Sequence, residues 1–183
     1  MPPPTSPRLR VKLSQPWFDI RRSPVQGRGA FAMRSIPRGT RLIEYTGERI
    51  GHARFAARHA AESKGRRHHT FLFQATRRTV VDARLHGNEA KYINHSCQPN
   101  CRAVIDHGRI FIETCTAIRA GEELAYDYSY RRAGIETAAD EARYACHCGA
   151  ARCRGSILAP IAGAPRMKSA PETRKAVSSA ALP

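Results

Sequence analysis

No stretch of this 183-residue chain approaches 18 consecutive apolar residues, so the sequence offers no membrane-spanning helix. The first residues, Met1 to Leu13, carry prolines and arginines but no apolar core, which argues against a secretory leader and for the cytosol as the expected location. Acidic residues are scarce: 15 Asp and Glu stand against 31 Lys and Arg, for a formal net charge of +16. That balance fits contact with nucleic acid or another polyanion, and it equally fits a solvated basic surface in an arginine-favouring genome. There is no internal repeat. Cysteine is sparse and uneven: Cys97 and Cys101 lie together, Cys115 is alone, and Cys146, Cys148 and Cys153 form a tight group. With nothing pointing to export, a disulfide framework is a poor fit and a metal is the better explanation.

What is present reads as one mostly β domain. Residues 1–15 are proline-rich and basic, and 159–183 are rich in Ala, Pro, Ser and basic residues without apolar period. Both are expected to be flexible. Between them the apolar runs are short. Arg41–Tyr45 follows the turn signal Pro37-Arg38-Gly39. Phe71–Phe73 and Thr79–Val81 flank the polar Thr76-Arg77-Arg78, and Ala103–Ile105 and Arg109–Ile112 flank Asp106-His107-Gly108. All of these runs predict short strands, and Asp106-His107-Gly108 predicts a hairpin turn. Ala53–Ser63, rich in Ala and Arg, predicts a helix, and a second short helix is expected through Ile135–Arg143.

Cys146-His147-Cys148 followed by Cys153 puts three thiols within eight residues. Zinc takes four ligands in a tetrahedron, and Gly149 permits the tight turn that three ligands so close require. The fourth ligand must come from elsewhere, with Cys97, Cys101, Cys115 and His147 as candidates. Four thiolates would leave no open position for water, so such a zinc is structural, and Arg152 and Arg154 are placed to offset its charge.

Three further segments stand out: Gly27-Arg28-Gly29, Asn94-His95-Ser96-Cys97 with Pro99-Asn100, and Gly121-Glu122-Glu123-Leu124 running to Tyr126-Asp127-Tyr128. In this order and spacing, and together with Glu44–Glu48, Val81–Ala83 and Gly87-Asn88, they resemble the SET domain over about Phe18 to Ile157. Cys-x-Cys-Gly-x3-Cys-Arg-Gly adds the post-SET pattern. The resemblance implies a fold of short curved sheets with a pseudoknot, a SET domain over 16–131 and a post-SET zinc segment over 132–158. It implies a protein-lysine N-methyltransferase using S-adenosylmethionine. Residue by residue, it implies cofactor contacts from Arg28, Gly29, Lys91, Asn94, His95 and Tyr128. Tyr128 matches the catalytic tyrosine, Tyr45, Phe71 and Tyr126 match the lysine channel, and Cys97 matches the fourth zinc ligand. Lys91 stands where the family usually has arginine. Phe71 stands where many relatives have tyrosine, and Tyr126 occupies the position linked to lower methylation states, so mono- or dimethylation is expected.

The expected substrate is a histone or another basic protein associated with DNA or RNA, met by a monomeric enzyme. Glu122, Glu123, Asp127, Glu136, Asp140 and Glu141 against Arg131 and Arg132 form an acidic stretch, expected to line a groove for a basic peptide. The composition suits a bacterial chain, whose target would be nucleoid-associated or reached by delivery to a host nucleus. The competing reading is a non-catalytic, zinc-stapled basic module that binds nucleic acid or chromatin.

Overall fold

The computed structural model describes residues 16–62, 71–132 and 137–160. Ten short strands make three sheets. β1 (Phe18–Arg22) and β2 (Arg28–Ala32) form a hairpin. β4 (Glu48–Gly51), β6 (Thr79–Asp82) and β5 (Leu72–Gln74) form a three-stranded antiparallel sheet with β6 central. The third sheet has the order β3 (Arg41–Glu44), β9 (Arg109–Thr114), β8 (Cys101–Asp106), β10 (Ala125–Tyr126), β7 (Asn94–His95). The predicted strands are all found, and the β8–β9 turn falls at Asp106–Arg109 as the turn residues require, with positive φ at His107 and Gly108. Strands β1, β2 and β4 were not read from the sequence; they are five residues or fewer and mix exposed and buried positions without strict alternation.

Helix α1 (His52–Glu62) lies within one residue of its predicted span. Its arginines fix it to the three-stranded sheet. Arg58 donates to Glu48 and to Asp82, each at 2.7 Å, while Arg54 reaches Glu48 at 2.9 Å. Asp82 is fully buried, a costly place for a carboxylate, but Arg84 adds a second guanidinium at 2.6 Å and its own backbone N–H at 3.1 Å. The second helix is shorter than expected: α2 covers Ala138–Ala142, and residues 133–136, including Glu136, lie outside the described part. So do residues 1–15 and 161–183, which hold most of the two segments expected to be flexible.

One local device joins the sheets. Gly87 passes so close to Ala83 that an added Cβ would sit 2.0 Å from its carbonyl oxygen. The close pass lets Asn88 donate to the Glu44 carbonyl at 2.7 Å and cap the short 3-10 turn Glu89–Tyr92. The core itself gathers Ile36, Ile93, Ile112, Ile118 and Leu124, each at most 1% exposed.

The pseudoknot expected from the resemblance is visible in the strand order. β7 ends at His95 and β8 begins at Cys101, yet β10 lies between them, parallel to both. The chain from 96 to 100 must therefore cross β10. It is sewn down there: Asn100 donates to the Glu123 carbonyl at 2.8 Å and accepts from the Ala125 N–H at 2.9 Å, and the Ser96 N–H reaches the Tyr126 carbonyl at 3.2 Å.

Truncating Ile112 to Ala in this core should destabilise the fold by about 2–5 kcal/mol. The same change at Ile105, which is 53% exposed, should cost less than about 0.5 kcal/mol. Denaturant titration of both variants checks the contrast.

Candidate active site

The β10 crossing gathers the motif residues around one cleft. Two cavities of about 330 and 470 Å³ share Gln26, Gly27, Tyr128 and Ile157 as walls. The first is also lined by Arg28, Tyr45, Phe71, Lys91, Tyr92, Asn94 and Tyr126. The second is bounded by His95 and by the C-terminal residues Cys146 to Cys148. All the expected cofactor and channel residues except Gly29 thus line these two adjoining cavities.

Asn94 is oriented by its neighbours. Its amide nitrogen donates to Glu123 at 2.7 Å and to the Arg28 carbonyl at 3.0 Å, with the Gln26 carbonyl at 3.3 Å. The donor end is therefore spent on the protein, which leaves Oδ1 as an acceptor suited to a cationic amine. Glu123 also accepts from the Ser23 hydroxyl at 3.0 Å. It sits so tightly under β2 that a Cβ on Gly29 would lie 2.1 Å from its Oε1. That contact is why the second glycine of the motif must be a glycine. At the mouth, the Arg28 guanidinium lies 4.5 Å from the Tyr92 ring centroid and the Lys91 ammonium 5.3 Å from it. Two cations beside an oriented amide acceptor fit the carboxylate and ammonium of an amino-acid-bearing ligand.

Next to this lies an aromatic box. Tyr126, on β10, and Tyr128, just beyond it, have ring centroids 4.8 Å apart, Phe73 stacks on Tyr126 at 6.1 Å, and Tyr45 meets Phe73 at 5.6 Å. Tyr130 extends the row, 5.5 Å from Tyr128. Phe73 and Tyr130 were not picked out from the sequence. The signal for Tyr130 was there, since it continues the every-second-residue spacing of 126 and 128. Burial pushes the phenols of Tyr45, Tyr126 and Tyr128 well above their ordinary value, and the neighbouring phenols add to it. They remain neutral hydroxyls. The Tyr128 hydroxyl donates to the Ile93 carbonyl at 3.0 Å, which fixes its direction and leaves its lone pairs to face a guest.

His95 is held from both sides. Its Nδ1 accepts the Tyr128 backbone N–H at 3.1 Å, so the ring proton belongs on Nε2, 3.4 Å from the Cys97 sulfur. Burial, with the Arg154 charge nearby, drops its pKa to about 4 even though Asp127 works the other way. The ring is neutral and committed to the protein.

Cys97, Cys146, Cys148 and Cys153 bring their sulfurs within 4.8 Å of one another. The edge of a tetrahedron with 2.3 Å metal–sulfur bonds is about 3.8 Å. Cys97 lies 3.7 Å from Cys146 and 3.9 Å from Cys153, too far for disulfides and right for a shared ion. Each sulfur also receives one backbone N–H at 3.4–3.5 Å: Cys97 from Arg154, Cys146 from Cys148, Cys148 from Cys97, and Cys153 from Gly155. Such donors favour thiolates. Of the open candidates for the fourth ligand, the structure selects Cys97. Cys101 is buried elsewhere with its thiol pushed up to about 12 by that burial, Cys115 donates to the Pro99 carbonyl at 3.4 Å, and His147 is exposed.

The acidic stretch does not behave as a free groove. Glu123 is engaged by Asn94 and Ser23, Asp127 takes a two-pronged contact from Arg154 at 2.8 and 2.5 Å, and Glu141 pairs with Arg132. Arg154 thus spends its guanidinium on Asp127 and meets the sulfurs through its backbone. Arg152 also approaches through its backbone, which donates to Gln98 at 3.2 Å.

Thiolate-only coordination selects a soft tetrahedral ion. The purified protein should carry one equivalent of zinc by elemental analysis, and Cys97→Ser should lose most of it. Full occupancy in that variant would show that Cys97 is not a ligand.

Comparison with known proteins agrees with this geometry. Residues 27–129 match the SET domain. The chain is 38% identical over 151 residues to a histone-lysine N-methyltransferase of Mycosarcoma maydis described as H3 lysine-4 specific, covering 80% of this chain and 10% of that protein. It is 38% identical over 147 residues to histone-lysine N-methyltransferase 2B of Homo sapiens, covering 78% and 5%. It is 41% identical over 152 residues to the histone-lysine N-methyltransferase trr of Drosophila melanogaster, covering 78% and 6%. The chain spans a tenth or less of the length of these three relatives. It belongs to the SET-domain family.

Proposed function

We propose that this chain is a protein-lysine N-methyltransferase that takes a methyl group from S-adenosylmethionine and places it on a lysine of a basic protein. The observation that carries the reading is the junction at Tyr128. One hydroxyl, fixed by the Ile93 carbonyl, stands where the cleft with the amide acceptor and two cations meets a box of buried aromatic rings.

The bound cofactor would supply an electrophilic sulfonium methyl group. Asn94 Oδ1 would receive its ammonium, and Arg28 and Lys91 would offset its carboxylate. The second cavity, beside His95 and the cysteine cluster, has room for the remainder. Its His95 wall would contribute ring face and backbone, since both ring nitrogens are occupied. The box does the other half. A lysine side chain entering between Tyr45, Phe71, Tyr126 and Tyr128 leaves water for a low-dielectric channel, and this favours loss of its proton from an ordinary pKa near 10.4. Neutral phenol oxygens can accept the remaining N–H bonds and so aim the nitrogen lone pair. No residue need change charge. Holding nucleophile and methyl group in line supplies much of the acceleration, up to about 7–11 kcal/mol. Zinc on the four thiolates would be structural, since every ligand position is filled by the protein.

The relatives named as histone methyltransferases, and the reading of Tyr126 with Phe71 as channel walls, support a histone or another basic nucleic-acid-associated protein as substrate and mono- or dimethyl-lysine as product. The non-catalytic alternative would not need the oriented Asn94 amide or the fixed Tyr128 hydroxyl, and the chain keeps both.

Radiolabelled S-adenosylmethionine with core histones and a cell extract tests the proposal. Wild type should label a lysine-bearing protein, and Tyr128→Phe should lose about 10²-fold or more in kcat. Label on nothing in either protein would reject the enzyme. Mass spectrometry should find mono- and dimethyl-lysine; trimethyl-lysine as the main product would overturn the assignment of product state.

A further inference from the structure

The charge of +16 is not spread evenly once ion pairs are taken into account. On the outer face of the five-stranded sheet it cancels. Arg41 pairs with Glu113 at 2.9 Å and Asp106 at 3.2 Å, Arg102 with Glu113 at 3.4 Å, and Arg109 with Glu44. Three guanidiniums meet three carboxylates there. The Arg41 and Arg109 guanidiniums also cover the Phe111 ring, at 4.1 and 5.0 Å.

A group of exposed arginines lies at one end of that sheet. The β8–β9 turn at Asp106–Arg109 and the β5–β6 turn at Ala75–Arg78 touch: a Cβ on Gly108 would be 3.9 Å from the Thr76 methyl. Arg49, on β4, joins the β8–β9 tip by donating from Nη2 to the Gly108 carbonyl at 2.9 Å. Arg49, Arg77 and Arg78 are all exposed, and the His107 imidazole beside them is 96% exposed. With Arg41 and Arg109 there are five guanidiniums here against three carboxylates, Glu44, Asp106 and Glu113, which already accept from Arg41 and Arg109. A net positive edge remains, built on two hairpins rather than on a loose tail.

We infer that these paired hairpin tips form a contact surface for the phosphate backbone of double-stranded nucleic acid. Guanidinium forks match phosphate oxygens two at a time, and Arg49 is already oriented by its carbonyl contact. The tip turns carry no Phe, Tyr or Trp for stacking on bases and no Asn or Gln for reading adenine edges, so most of the binding should come from the phosphate backbone. The position also bears on catalysis, and here the inference rests on the methyltransferase reading. β5 contributes Phe73 to the aromatic box, and its turn begins with the next residue but one. A duplex on the tips would lie beside the lysine channel. A basic protein wrapped on that duplex would then be presented to a basic enzyme that would repel the same protein free in solution.

Fluorescence anisotropy with a labelled random-sequence duplex of about 30 base pairs tests the inference across roughly 50–200 mM salt. The variant Arg49→Ala/Arg77→Ala/Arg78→Ala should bind at least about tenfold more weakly. Its slope of log affinity against log salt should fall by about 2–3, at close to one unit per phosphate contact. Arg77→Ala/Arg78→Ala, which leaves the Arg49–Gly108 contact intact, should show an intermediate loss with unchanged thermal stability. Arg38→Ala/Arg119→Ala, flanking the Ile36–Ile118 bridge, should change affinity by less than about twofold. Three results would overturn the inference: unchanged affinity and slope in the tip variants, an equal loss in Arg38→Ala/Arg119→Ala, or displacement of the duplex by polyglutamate as readily as by unlabelled duplex. The binding readout needs no turnover. Failure of the methyltransferase reading would appear as no label on a basic protein either free or bound to the duplex while duplex affinity is intact, and failure of the inference as the reverse.

Discussion

The seat of β10 between β7 and β8 is the constraint on which the site depends. Two residues of strand, Ala125 and Tyr126, hold apart two strands that a five-residue loop connects. Four of the groups with a chemical task hang from that crossing. Upstream of the loop stand Asn94 and His95, within it Cys97, and just beyond β10 the Tyr128 ring. Because Asn100 clamps the loop to Glu123 and Ala125 through both ends of its amide, the loop cannot shift without moving the strand. Cleft and box are therefore two sides of one piece of backbone.

The C-terminal segment closes that piece. Three of the four thiols come from residues 146–153, the fourth from the crossing loop, and Arg154 grips Asp127 between the two tyrosines with a bidentate pair. Half-buried and two-pronged, that pair is of the kind that adds geometry as well as attraction. The segment also walls the second cavity with Cys146, Cys148 and Ile157. A metal on the thiols and a ligand in the cleft would each favour the same closed arrangement, so each should strengthen the other's binding.

The sequence made the chemistry more legible than the fold. Cysteine spacing marked the metal cluster, and the three motifs marked the cleft, because ligand geometry demands particular residue types at fixed separations. Strands β1, β2 and β4 escaped because they are short and mix exposed and buried positions without strict alternation. Half of the six acidic residues expected to line a groove turned out to be paired, for a related reason. Charge along the chain says nothing of partners brought in by folding, and Glu123, Asp127 and Glu141 had theirs at Asn94, Arg154 and Arg132. Glu123 turned out to orient the amide of Asn94, a role only the contact with Gly29 and Ser23 reveals. The overall basic charge was likewise visible in the composition, while the meeting of several exposed arginines at two neighbouring hairpins needed the β5–β6 and β8–β9 turns to be placed side by side.

The central claim is that the thiol cluster and the ligand cleft are one structure. Calorimetric titration of S-adenosylhomocysteine, the cofactor's product form, into zinc-loaded, zinc-stripped and refilled protein tests it most directly. The loaded protein should bind one equivalent, the stripped protein should bind at least about tenfold more weakly, and refilling should restore the affinity. Equal affinity in protein shown by elemental analysis to be free of metal would contradict the account.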